Sequence, residues 1–177
     1  MKKWIGLGVL TLAACGSDVV SVNTEWFVRP PCASVQCPPP RAISAEIGDE
    51  RYAVACELTG TGQTQALLLR AQKLNGLDVE YGIELSNGLI VNDEFVGGDG
   101  CVFKAIEGNT YQGACGSSAP SSSQPCQISD FKASGGSISL SILCKQLPLQ
   151  AAPSEQTVSV TAPGGIGQPF SVKCSNL

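Results

Sequence analysis

The sequence predicts an all-β protein: an antiparallel, disulfide-stabilised β-sandwich, with an open β-barrel as the alternative. Three observations carry that prediction. Apolar and polar residues alternate with period two along much of the chain, as in half-buried strands. Turn-forming pairs, above all Asn75-Gly76 and Asn87-Gly88, punctuate the alternating runs. The 177 residues include nine cysteines and 20 glycines, with only 15% charged residues. That is the composition of an exported strand-and-turn domain rather than of a helical bundle.

Residues 1–14 read as a cleaved leader. Lys2 and Lys3 form a positive start, and the apolar run from Trp4 to Ala14 is well short of the roughly 20 residues that span a bilayer. Residues 15–41 read as a tether. Gly16-Ser17-Asp18 is polar, while Arg29-Pro30-Pro31 and Cys37-Pro38-Pro39-Pro40-Arg41 favour extended polyproline conformation. Such a spacer would hold a domain away from a membrane, with Trp26 and Phe27 docking it onto the domain or lying near the interface.

Residues 42–177 read as the β domain. Ile43 to Ile47 and Arg51 to Leu58 flank Gly48-Asp49-Glu50, which predicts a hairpin, and Gly60-Thr61-Gly62 breaks the next strand. The two Asn-Gly pairs divide residues 65–96 into a three-segment meander. Its first segment, Ala66 to Leu74, is expected as a strand, although its residue types also suit a short helix ended by Asn75-Gly76. A hairpin about Gly108 follows, then a Ser-rich connection from Gly116 to Pro125. Gln127–Ala133 and Ser137–Lys145 form a hairpin about Gly135-Gly136, and strands at Val158–Val160 and Phe170–Val172 finish the chain. The total is about nine or ten strands.

Setting Cys15 aside leaves an even cysteine count, which in an exported chain indicates a disulfide framework. Parity places Cys56 and Cys174 on the inward faces of the first and last strands of the domain, so Cys56–Cys174 is a candidate bond. Cys101 and Cys115 are equidistant from Gly108, and a three-residue loop there would set them opposite each other. Cys126 and Cys144 are symmetric about Gly135. A two-residue Gly-Gly turn would leave that pair diagonal unless a bulge intervened. The alternative joins Cys115 to Cys126 and Cys101 to Cys144. Cys32–Cys37 would close a small local loop.

Chemistry is restricted by what is missing. The chain has no histidine, which excludes Ser-His-Asp and Cys-His catalysis and His-ligated metal sites. Asn92-Asp93-Glu94 with Asp99 supplies oxygen ligands in the manner of a Ca²⁺ loop but lacks the EF-hand spacing, and a solvated turn is the expected reading. Asp78, Glu80 and Glu84 suit a polar outer strand face better than a glycosidase carboxylate pair. Gly97-Gly98-Asp99-Gly100 lacks the Lys-Ser or Lys-Thr of a phosphate loop. No cofactor is expected. Without the leader, 9 basic residues stand against 15 acidic ones, a net charge of about −6, which gives no footprint for nucleic acid.

Leu12-Ala13-Ala14-Cys15 closes the leader and resembles the lipobox of bacterial lipoproteins. The resemblance covers the first fifteen residues. It implies cleavage before Cys15, a diacylglyceryl thioether on that residue and an N-terminal acyl chain. Two or more chains suffice for stable anchoring. Gly16, where an Asp would favour inner-membrane retention, implies the outer membrane. The overall style is similar to Cys-rich surface lipoproteins of Gram-negative bacteria. The expected function is a non-enzymatic envelope or surface module, anchored to the membrane by lipid and working with an envelope protein or a surface glycan. Small-ligand or glycan binding is the alternative. Behind these stand a protease inhibitor presenting the Cys32–Cys37 loop and a carboxylate-dependent hydrolase.

Overall fold

A computed structural model describes residues 20–29, 39–164 and 167–176. The leader, Cys15 and the Cys32–Cys37 pair lie outside the described residues. Within them are twelve strands and no helix. The first six are β1 (Ser21–Arg29), β2 (Arg41–Glu46), β3 (Tyr52–Thr61), β4 (Thr64–Asn75), β5 (Asp78–Val91) and β6 (Glu94–Gly97). The others are β7 (Val102–Glu107), β8 (Asn109–Gly116), β9 (Cys126–Ser134), β10 (Ser137–Pro148), β11 (Thr157–Thr161) and β12 (Phe170–Ser175). The all-β class predicted from the sequence is the class observed.

All twelve strands join in one mixed sheet. Its pairings are antiparallel except between β8 and β9, which meet in parallel at Cys115↔Cys126 and Gly116↔Gln127. The sheet has two sections that enclose a common core. The first contains β2, β1, β11, β12, β10 and β9, and the second is the meander of β3 to β8. Aromatic rings interlock across the interior: Phe103 with Phe170 at 6.2 Å, Trp26 with Tyr81 at 6.4 Å and Phe95 with Phe131 at 6.5 Å between centroids.

Two lanes of the sheet are each filled by a pair of short strands lying end to end. Along β10, residues 137–142 pair with β12 and residues 144–148 with β11. Along β1, Ser21–Thr24 pair with β12 and Phe27–Arg29 with β11. β11 and β12 therefore share one lane between β1 and β10. In the same way β6 and β7 share the lane beside β5. Gly97 turns the chain there at a φ of 89°, where a Cβ would meet the Cys115 carbonyl oxygen at 2.7 Å, so only glycine fits.

Ser21–Arg29, expected within the tether, is instead β1. Val22, Thr24, Trp26 and Val28 are buried while Asn23 and Glu25 are exposed, the alternation of a half-buried strand. The folded unit therefore begins by Ser21 rather than at residue 42, and the proline-rich stretch is the connection from β1 to β2. The hairpin expected about Gly48-Asp49-Glu50 does not form: β2 pairs with β1 and β3 with β4, so residues 47–51 make a corner between the two sections. Asp49 accepts hydrogen bonds from the Arg51 amide and guanidinium there. Those bonds hold its carboxyl below the usual range.

Ala66–Leu74 lies within β4, so the helical alternative is excluded. The hairpin expected at Asn87-Gly88 is also corrected. β5 runs through it, with Asn87 at a φ of 54° and one extra residue between the Leu69↔Leu85 and Leu67↔Gly88 pairs. That is a β-bulge. The turn falls at Asn92-Asp93 instead, both at positive φ as a type I′ turn requires.

Candidate functional site

Among the described residues three disulfides are formed: Cys56–Cys174, Cys101–Cys115 and Cys126–Cys144. The local geometry explains each. Cys56 and Cys174 are both buried on facing strands, with Cα atoms 6.2 Å apart. The β7–β8 register is symmetric about Gly108, and the Cys115 amide donates to the Cys101 carbonyl at 3.1 Å. Between β9 and β10 the two-residue Gly135-Gly136 turn is followed by a bulge at Asp130, which sits at a φ of 53°. The bulge absorbs the register slip and sets Cys126 directly opposite Cys144. Cys101 and Cys144 are thus not partners. These bonds make the sheet a rigid platform and consume every cysteine in the described residues.

The predicted carboxylates do not gather. Glu80 pairs with Lys73 at 2.7 Å, while Asp78 closes the β4–β5 turn in the open. Glu84 lies in a cross-strand row, Ala55–Arg70–Glu84–Lys104–Gln112, on the outer face of the meander. Arg70 donates to it at 2.9 Å and Lys104 at 3.0 Å. Burial pushes the Glu84 carboxyl up, but these two charged hydrogen bonds outweigh it and hold the group below its ordinary value. Asn92, Asp93 and Glu94 are exposed at the β5–β6 turn, with Asp99 beyond β6. Among the described residues no group of three or more Asp, Glu, Cys or His is placed to hold a metal ion.

A further charged cluster joins the two sections. Arg41, at the start of β2, pairs with Glu107 at the end of β7, and its guanidinium lies 4.6 Å from the Tyr81 ring centroid. The hydrogen bond to Glu107 raises the Arg41 pKa further above its already high value.

The outer face of the first section is different in kind. Its registers line up two cross-strand rows. One is Glu46–Ser21–Ser175–Ser137–Ser134, and the next is Ser44–Asn23–Lys173–Ser139–Lys132. Ser171, Ser141 and Ser129 begin a third. Outward side chains here are mostly short hydroxyls, so the surface is polar and carries few long side chains. Lys132 and Lys173 form no ion pair among the described residues, whereas Arg41, Arg51, Arg70, Lys73 and Lys104 are all paired. A shallow trough of about 710 Å³ crosses the face beside the 47–49 corner, lined by Ser21, Asn23, Ser44, Glu46, Asp49, Lys173 and Ser175 among others. A smaller one of about 290 Å³ adjoins it through Lys173 and Ser175.

Sequence reasoning found the β10 part of this face, where Ser137, Ser139 and Ser141 alternate with Ile138, Leu140 and Ile142. The β12 part shows in the same way, as Ser171 and Lys173 between Phe170, Val172 and Cys174, while the rest depends on registers between distant strands. No family model, no curated protein and no solved structure matches this chain.

Proposed function

We propose that this protein is a non-enzymatic interaction module of the cell envelope, held on the outer membrane by lipid on Cys15. Its contact surface is the hydroxyl-rich face of β2, β1, β12, β10 and β9. The observation that carries the reading is the pair of five-residue rows across that face, polar and, among the described residues, free of ion pairs, on a disulfide-linked sheet. The opposite outer face is occupied by its own Arg70–Glu84–Lys104 contacts, which leaves it less to offer a partner. The lipobox resemblance supports the anchor and the missing histidine supports the non-enzymatic reading.

Photo-crosslinking in intact cells tests this. A photoreactive residue at Asn23 or Ser139 is expected to capture a defined envelope partner, and one at Gln112 on the far face is not. Capture from Gln112 alone, or turnover of substrate by the purified domain in a broad hydrolase screen, would overturn the reading.

Glycan binding is the second reading, favoured by the trough. Asn23, Glu46, Asp49, Lys173 and the neighbouring serines offer donors and acceptors for sugar hydroxyls. Glycan-array binding lost in Lys173→Ala would select it over a protein partner.

A further inference from the structure

We infer that the end of the domain where the chain enters β1 is a membrane-contact surface, seated on the bilayer through Ile47 and Leu77. Three backbone facts define that end. The Ile47 amide donates to the Val20 carbonyl at 2.8 Å, which ties the start of the sheet to the 47–51 corner. The Leu74 amide donates to the Arg51 carbonyl at 2.8 Å, and Tyr52 pairs with Lys73. The corner and the β4–β5 turn at Gly76-Leu77 therefore project from the same end of the meander.

Large exposed apolar side chains are few. Among the described residues they are Ile47 at 54% exposure, Leu77 at 102% and Val96 at 40%. The first two lie at this end. Val96 belongs to β6, which pairs with the far end of β5, about 40 Å away along that strand. One exposed leucine needs no explanation. Two beside the point where the chain joins its anchor do.

The inference rests on the lipoprotein reading, and chain length completes it. With β1 beginning at Ser21, only residues 16–19 separate Cys15 from Val20. Fully extended, that stretch reaches about 17 Å. A lipidated Cys15 thus holds Ile47 and Leu77 at the level of the headgroups rather than at the tip of a long spacer. The charge at this end selects the lipid. Asp49 is paired with Arg51 and Glu80 with Lys73, while Glu46, Glu50 and Asp78 remain exposed and add negative charge. Apolar insertion among zwitterionic headgroups fits that balance, and attraction to anionic lipid does not.

The test uses the full-length protein, processed in cells and reconstituted into phosphatidylcholine vesicles whose acyl chains are brominated near the headgroup. Ile47→Trp, Leu77→Trp and Val96→Trp are compared with the parent protein, whose Trp26 is buried. Mass spectrometry of the N-terminal peptide reports acylation of Cys15 separately. The expected result is an acylated Cys15, with the added emission blue-shifted and largely quenched at 47 and 77 but unquenched at 96. An acylated protein with no quenching at 47 and 77, or with equal quenching at 96, overturns the contact surface and leaves the anchor standing. An unacylated Cys15 overturns both.

Discussion

The meander of β3 to β8 and the section built from β1, β2 and β9 to β12 are the same kind of sheet assembled by different routes. In the meander, strands pair with their neighbours in sequence, and the disulfide Cys101–Cys115 spans a separation of only 14 residues. In the other section β1 pairs with β11 and β12, from the opposite end of the chain. Cys56–Cys174 then joins the sections across a separation of 118 residues. Local pairing costs little loop-closure entropy, whereas the long-range pairings must recover a larger cost from burial and cross-linking. Closure of the whole sheet therefore depends on contacts made by β1 and by the last two strands.

The disulfides break that comparison most directly. Cys56→Ala with Cys174→Ala is expected to lower the unfolding free energy by about 4–5 kcal/mol, measured by urea titration. Trp26→Ala comes next, at about 4 kcal/mol, because it empties a fully buried site in β1. Had residues 21–29 been a tether, that variant would cost almost nothing. Trp26→Phe sharpens the point: among the described residues the indole N–H has no hydrogen-bond partner, so its loss is expected to cost much less than the alanine change. Cys101→Ala with Cys115→Ala should cost about 3 kcal/mol, the smaller loss proper to a local loop. A reversed order of the two disulfide variants would contradict the division into local and long-range halves.

Smallest is Glu84→Gln, at about 1 kcal/mol, since solvent reaches both Arg70 and Lys104. Its mark is pH dependence. The folded-state pKa of Glu84 lies below its unfolded value, so its contribution is complete above the ordinary carboxylate pKa. It is lost as pH falls through the folded value. Parent and variant melting temperatures are therefore expected to differ at neutral pH and to converge in acid.

What could be read in the sequence follows the same division. The strand at Ala66–Leu74, the β7–β8 hairpin and the Cys101–Cys115 bond all depend on residues near one another, and all were legible. Cys56–Cys174 was legible too, because alternation survives however far apart two strands lie. Asn87-Gly88 misled because a residue that tolerates positive φ serves a bulge as readily as a turn. β1 was hidden by its flank: the prolines after Arg29 outweighed a clear alternation from Val22 to Val28. The hydroxyl face could not be assembled from sequence at all, since its rows cross strands whose register only the fold specifies.

The lane shared by β11 and β12 also sets an order of events. A chain emerging residue by residue, from a ribosome or a translocation pore, can complete the meander as soon as Gly116 is free. It cannot close the other section then, because the filler between β1 and β10 is made of residues 157–161 and 170–175. Until those residues emerge, β1 and β10 each present an open edge. The second section therefore closes only after β12 has emerged, and that delay follows from strand order.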